Sequence, residues 1–320
     1  MKNIAVIGCG YWGKNLVRNF HELGALHTIC DGDGEVLKGH AAKYGYVACE
    51  RSYRSVLKNG DIKAVAIATP AQTHFSLARE AIMAGKDIFV EKPLALKLDE
   101  ARRIVELAER HKRVLMVDHL LHYHPAFIKL KELAKEGVLG SLQYIYSNRL
   151  SIGKIRKEEN ILWSFAPHDI SVILSLVGKV PVKVDAFGEA YLQKKVYDTT
   201  LTTFTFSKRL KAHIYVSWLH PFKEQKLVVI GTKNMAVFHD QSEEKLVLFP
   251  HRVEWVGGIP IAAKAPHKSV EIESYEPLGK ACEHFIECVE DRRRPITDGK
   301  EALGVMKVLD EAQTALERSR

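Results

Sequence analysis

The chain has 320 residues, 46% hydrophobic and 27% charged, enough for two domains and an ordinary balance for a chain that buries a core, so wholesale disorder is excluded. Lys plus Arg at 47 against Asp plus Glu at 39 leaves a formal charge of +8; this favours a small anionic ligand, but only Arg292, Arg293 and Arg294 are contiguous, so no nucleic-acid partner is expected. The longest apolar runs, 227–230 and 64–68, fall far short of the roughly 20 residues of a membrane-spanning helix, the start lacks a signal-peptide apolar core, and five cysteines form no C-x-x-C pair, so the expectation is a cytoplasmic protein with reduced thiols and no membrane association.

In chain order, strand-like apolar runs at 3–7, 26–30, 64–68, 87–90 and 113–117 alternate with helical patterns, the order of a parallel sheet with crossover helices. Between the last two, Ile104, Val105, Leu107 and Ala108 mark one helical face, with Asp99 and Glu100 in the first turn where the helix dipole favours acids. This half reads as a doubly wound Rossmann domain, residues 1–120. After Gly140 the pattern becomes alternating strands at 142–147, 182–186, 200–206 and 210–218, the last two joined closely enough by Ser207, Lys208 and Arg209 for a hairpin. Residues 121–320 therefore read as an α+β domain with a large, mainly antiparallel open sheet, and such a sheet face suits a homodimer or homotetramer interface. Two helical patterns close the chain, at Ala281, Phe285, Ile286 and Val289 and at Leu303, Met306, Leu309 and Ala312.

Gly8-Cys9-Gly10-Tyr11-Trp12-Gly13 directly follows the first strand and opens the first helix, where glycines permit a tight turn and a backbone approach to a pyrophosphate at the helix N-terminus. Asp31, at the end of the next strand, can accept from both ribose hydroxyls and would repel a 2′-phosphate, so NAD is the expected cofactor. Ala68-Thr69-Pro70, with His74 beyond it, and Glu91-Lys92-Pro93 fall at the C-terminal ends of two further strands, the end at which open parallel sheets bind ligands. From spacing alone Lys92 is either a solvated loop residue or a catalytic one.

His119, His122 and His124 invite a metal, but on an extended segment His119 points away from the other two and no thiolate lies nearby, so no metal is expected and Tyr123 or His124 reads instead as a hydrogen-bonding partner of substrate. Trp163-Ser164-Phe165-Ala166-Pro167-His168-Asp169 precedes a helix predicted over 170–177. There the helix dipole would keep the His168 imidazole neutral, and from the residues alone it is either a structural histidine or an available base.

The glycine turn, Ala68-Thr69-Pro70 with His74, and Glu91-Lys92-Pro93 together resemble the glucose-fructose oxidoreductase, inositol dehydrogenase and MocA family. The resemblance continues through His124-Pro125-Ala126, Val229-Ile230-Gly231-Thr232 and Arg294-Pro295-Ile296-Thr297-Asp298-Gly299. It implies an NAD(P)-dependent sugar or cyclitol dehydrogenase in which Lys92 touches the reacting hydroxyl and His168 is the active-site histidine. Many relatives carry aspartate where this chain has Ser164, which leaves open whether His168 or Lys92 removes the hydroxyl proton; His168 as base, with Lys92 orienting, is the preferred reading.

Within the family, residues 10–16 and 163–169 are similar to the nucleotide-sugar 3-dehydrogenases, which oxidise the 3-hydroxyl of UDP-N-acetylglucosamine, or of its uronic acid, to a 3-keto sugar for an aminotransferase. That implies a UDP-sugar substrate, with Arg149, Lys154, Arg156 and Lys157 available to a diphosphate or a carboxylate and with Trp163 and Ser164 beside the sugar. A free-sugar or cyclitol dehydrogenase and a non-catalytic NAD-binding sensor are the competing readings.

Overall fold

A computed structural model describes residues 3–153, 155–157 and 159–318. The first eleven elements alternate: β1 (Ile4–Ile7), α1 (Gly13–Glu22), β2 (Leu26–Cys30), α2 (Gly34–Lys43), β3 (Ala48–Glu50), α3 (Tyr53–Lys58), β4 (Ala64–Ile67), α4 (His74–Met83), β5 (Asp87–Val90), α5 (Leu98–Arg110) and β6 (Leu115–Val117). The strands form one sheet in the order β3-β2-β1-β4-β5-β6, every pairing parallel. Because helices cover both faces, β1, β4 and β5 are buried at every position; β1 and β4 read as unbroken apolar runs, and β5 does after Asp87. Helix α5 buries Ala101, Ile104, Val105 and Ala108 and keeps Asp99 and Glu100 in its first turn, as its spacing predicts. Strand β3 has no sequence signal: it is a three-residue edge whose Ala48 and Cys49 are exposed.

The next elements are α6 (Pro125–Lys135), β7 (Leu142–Leu150), α7 (Ile161–Val177), β8 (Lys183–Glu189), β9 (Thr199–Thr205), β10 (Lys211–Ser217), β11 (Glu224–Gly231), β12 (Met235–His239), β13 (Leu246–Phe249), β14 (Arg252–Val256), β15 (Ile259–Ala263) and β16 (Lys268–Ser269). Eight strands make an open sheet in the order β16-β13-β12-β11-β7-β10-β9-β8, antiparallel except for the β7–β10 pair. The predicted hairpin joins β9 to β10. Ala212, Ile214, Val216 and Trp218 are buried beneath α7, whereas His213 and Tyr215 are half-buried on the opposite face, where Tyr146 stacks on His213 at 5.2 Å between ring centroids. Strands β14 and β15 pair only with each other.

Two helices end the chain, α8 (Pro277–Asp291) and α9 (Gly299–Arg318). By compactness the chain divides into one unit ending at Tyr123 and rejoined by Tyr275–Met306, and a second comprising His124–Ser274 and the residues from Lys307 onward. The sequence reading placed everything after residue 120 in one domain, whereas α8 returns to the first unit. Its buried Leu278, Ala281, Cys282, Phe285 and Cys288 share a core with Phe20 and Phe89, Phe285 meeting the two rings edge-on at 6.4 and 5.6 Å. Thr297 then hydrogen-bonds both ways with Val117, extending the β6 edge.

The basic run, which reads as a solvated loop, contains the lock for this return. Arg292, in the left-handed conformation that caps α8 (φ 55°), donates from Nη1 and Nη2 to the two oxygens of Asp87 at 2.6 and 3.1 Å and to the Lys112 carbonyl at 2.6 Å. The Asp87 side chain is only 3% exposed, so without the guanidinium a buried carboxylate loses its counter-charge. Arg292→Ala is expected to lower the unfolding free energy by about 2 kcal/mol or more in urea titrations, while exposed Arg294→Ala stays within about 0.5 kcal/mol of the parent.

Candidate active site

In the first unit three loops meet at the C-terminal ends of β1, β4 and β5, and the glycines let them meet. A Cβ on Gly8 (φ 87°) would lie 2.7 Å from the Thr69 nitrogen, and one on Gly13 only 1.8 Å from the Gly8 carbonyl, whereas a Cβ on Gly10 would meet open space. Gly8 and Gly13 are therefore required for close approach, and Gly10 keeps the outer side of the turn clear for a ligand backbone. Trp12, the N-cap of α1, makes no side-chain capping bond, while the Lys14 amide donates to the Gly10 carbonyl and the Asn15 amide to the Trp12 carbonyl. Asp31 accepts from the Cys9 amide at 2.7 Å through Oδ2 and from the Asp33 amide at 2.9 Å through Oδ1, which fixes its carboxylate beside the turn. Tyr11 is exposed on the turn. A helix N-terminus without a side-chain cap, a cleared glycine and a fixed carboxylate suit the pyrophosphate and ribose of a dinucleotide.

The second and third loops are tied by His74. It is buried, with Nδ1 2.8 Å from the Pro93 carbonyl and Nε2 2.9 Å from the Thr69 carbonyl. Burial lowers its pKa against the raising effect of those carbonyls, so His74 acts as a clasp between 68–70 and 91–93. Thr69 and Thr73 exchange a hydroxyl bond at 2.6 Å, and Thr73 also donates to the Pro70 carbonyl. The peptide between Lys92 and Pro93 is cis. Lys92 is half-buried, while its neighbour Glu91 is buried and accepts from the Trp12 indole. Burial, together with the neighbouring Asp118 carboxylate, raises the Glu91 pKa well above the ordinary range; burial raises Asp118 as well. Asp118 carried no motif signal; what betrays it is the β5–β6 register, which pairs Val90 with Val117 and so sets the next residues side by side.

In the second unit, α7 begins at Ile161 with Asn160 as its cap, and Pro167 lies inside it. His168 is thus mid-helix, half-buried, and not at the N-terminus predicted for it. A dipole effect that fades within the first turn cannot bear on it there. The proline masked the true start in the sequence, since proline ordinarily marks a helix's first turn. Trp163 is buried and donates from its indole to Gln313 at 3.2 Å, and Ser164 is buried one turn before His168. Asp169 is the hub. It accepts from Arg149 Nε at 2.6 Å and from the Ser147 hydroxyl at 2.5 Å. The Arg149 side chain is 11% exposed, so this cation, read from the sequence as available to a diphosphate, is held internally. The chain of contacts continues from Arg149 Nη1 to Gln225 (3.1 Å) and from Gln225 to Asp240 (2.8 Å) once the amide is oriented by its neighbours. Asp240 then meets His124 Nε2 at 3.2 Å. Gln225, Asp240 and Gln313 carry no local motif and are set in place only by strand pairing and the last helix.

The remaining candidates separate. His119 Nδ1 lies 2.5 Å and His122 Nε2 3.8 Å from the carboxylate of Glu301, whereas His124 caps α6 by accepting from the Ala126 amide. Tyr123 is a core residue whose hydroxyl faces Met116 Sδ at 3.9 Å, and burial raises its pKa. Lys154 lies outside the described residues. Among the described residues no group of three or more His, Cys, Asp or Glu side chains is arranged to hold a metal, and no helix is long and apolar enough to cross a membrane.

A parallel sheet with a glycine turn, a ribose-side carboxylate and a strand-end lysine defines an NAD-dependent oxidoreductase. Residues 2–119 match the family described as "Oxidoreductase family, NAD-binding Rossmann fold" and residues 127–237 the "GFO/IDH/MocA C-terminal domain"; the chain belongs to the Gfo/Idh/MocA oxidoreductase family and its cofactor is NAD. It is similar to the UDP-N-acetylglucosamine 3-dehydrogenase of Acidithiobacillus ferrooxidans, 25% identical over 314 residues that span 98% of this chain and 96% of the other. A structure of that protein superposes with a TM-score of 0.86 at 24% identity, covering 99% and 97% of the two chains. An uncharacterized oxidoreductase of Synechocystis sp. is 31% identical over 273 residues, 72% of each chain. The structure of GenD2 from gentamicin A biosynthesis in complex with NAD shares the fold, with a TM-score of 0.85 at 21% identity and coverage of 99% and 95%.

The His124–Asp240 contact has a pH signature. The bond from His124 lowers the Asp240 pKa from 3.8 to about 2, so its contribution to stability is complete above the unfolded value and is lost as pH falls toward the folded one. Asp240→Asn is expected to remove that share of the acid-side loss between pH 3.8 and about 2, leaving a shallower stability profile in urea titrations over that window.

Proposed function

We propose that this oxidoreductase takes hydride from C3 of a UDP-N-acetylhexosamine, UDP-N-acetylglucosamine in the first instance, and makes the 3-keto sugar. The observation that carries this reading is the end-to-end likeness to a UDP-N-acetylglucosamine 3-dehydrogenase, over 98% of one chain and 96% of the other, together with a lysine at the end of β5. The bound nicotinamide supplies the hydride acceptor. Around it, Gly8, Gly10, Tyr11, Trp12, Gly13, Asp31, Ala68, Thr69, Pro70 and Glu91 form the cofactor site, with His74 holding two of its loops. Lys92 donates to the reacting hydroxyl and fixes its orientation, His168 accepts the hydroxyl proton, and that proton passes to solvent, so alcohol and NAD become ketone, NADH and a proton. Trp163 and Ser164 border the sugar, His124 and Tyr123 stand on the segment leading into α6, and Arg156 and Lys157 meet the diphosphate.

The product, a 3-keto nucleotide sugar, would feed an aminotransferase in surface-polysaccharide or lipid A assembly in the cytoplasm. The half-buried aromatic face of the large sheet, with Tyr146 stacked on His213, supports a homodimer or homotetramer joined through it.

Purified protein with NAD is expected to form NADH with UDP-N-acetylglucosamine, with a product two mass units lighter than the sugar, and to leave myo-inositol untouched. Turnover of UDP-N-acetylglucosaminuronate alone would move the assignment to the uronate, and turnover of inositol alone would overturn the nucleotide-sugar reading. Lys92→Ala and His168→Ala are each expected to lower kcat by about 100-fold or more; full activity in either would remove that residue from the chemistry. Asp31→Ala is expected to weaken NAD binding about tenfold or more in calorimetry, from the loss of charged ribose bonds.

A further inference from the structure

Glu91 and Asp118 are two buried carboxyl groups that directly follow neighbouring parallel strands, set side by side by the pairing of Val90 with Val117. Two adjacent buried carboxylates cannot both be ionised without a large repulsion in a low-dielectric site, and sharing a proton relieves it. The Trp12 indole already donates to Glu91 Oε1, and Asp118 Oδ1 has no hydrogen-bond partner among the described residues. Lys92 follows Glu91 beyond β5 and acts on both carboxyls, His119 follows Asp118 beyond β6, Tyr123 lies before α6, and the buried Cys282 of α8 feels the charge of both acids. Burial holds the Tyr123 hydroxyl and the Cys282 thiol neutral, so Lys92 and His119 are the cationic candidates, and His119 is already engaged by Glu301.

We propose that Glu91 and Asp118 share one proton across the neutral range, and that their single remaining negative charge holds Lys92 as an ammonium, so that Lys92 positions the reacting hydroxyl as a donor and never serves as its base. The pair are positioning residues: neither needs to touch the sugar. This deepens the proposed function, resting on its assignment of Lys92 to the hydroxyl, and gives a physical reason for the division of labour between Lys92 and His168. Replacing either acid by its amide leaves the other free to ionise, so each single variant keeps one negative charge but loses the shared proton. Only the double variant removes the charge.

The test uses the whole protein without NAD or sugar, so its failure is independent of the substrate assignment. Infrared difference spectra at neutral pH are expected to show a protonated-carboxyl stretch in the parent protein that is absent from Glu91→Gln and from Asp118→Asn. No such band in the parent overturns the proposal without any variant having to fold. Competitive acetylation read by peptide mass spectrometry gives the titration midpoint of Lys92. Each single variant is expected to keep the parent midpoint, and Glu91→Gln/Asp118→Asn to move it down by about one pH unit, the size of effect an adjacent opposite charge exerts. A double-variant midpoint equal to the parent's overturns the claim that the pair sets the charge on Lys92.

Discussion

Everything in the cofactor half of this protein depends on two missing side chains. With hydrogen at Gly8 and Gly13, the turn after β1 can lie against residues 68–69 closely enough that any Cβ would collide with backbone atoms. That approach brings Trp12 within reach of Glu91 and places α1's uncapped N-terminus at the rim. His74 then fastens the two remaining loops from beneath. The result is a preorganised floor in which Lys92 is held by its neighbours' bonds: the backbone on either side of it is anchored by Glu91 and by the Pro93 carbonyl. Preorganisation of this kind matters because a group that orients a ligand is effective only when it needs no rearrangement on binding.

The second unit solves a different problem, that of holding a helix with a proline inside it. Pro167 removes one amide from the α7 ladder, and the residue two beyond it, Asp169, compensates by anchoring the helix to β7 through Arg149 and Ser147. His168 stands between the proline and this anchor, so its ring is carried by a segment with little freedom to move. The network running on through Gln225 and Asp240 to His124 links the start of α6 to the same sheet. Arg149 is thus an internal counter-ion to Asp169, and the burial of that pair keeps this basic residue from solvent.

Much of this was legible in the sequence because the signals are local. The strand at 26–30 and that at 87–90 coincide with the predicted limits, since a short, mainly apolar run is marked off once glycines and helical patterns flank it. The glycine turn, Asp31, the strand-end motifs and the hairpin after β9 are likewise written in consecutive residues. What could not be read is long-range. Arg292 looks like one of three solvated arginines until the fold brings it to Asp87, and Asp118 looks like the end of a strand until parallel register sets it against Glu91. The return of α8 to the first unit and the start of α7 nine residues before the predicted helix are settled by packing and by tolerance of an internal proline, which no local pattern announces.

The central claim is that hydride leaves C3 of the sugar for the nicotinamide. UDP-N-acetylglucosamine deuterated at C3 alone, incubated with the protein and NAD, tests it directly by mass spectrometry of the reduced cofactor. The account expects the deuterium on the nicotinamide ring, with a slower rate than the unlabelled sugar where hydride transfer limits turnover. Reduction of NAD without transfer of the label would mean that another carbon is oxidised, and an unreduced cofactor in protein that binds NAD would contradict the account altogether.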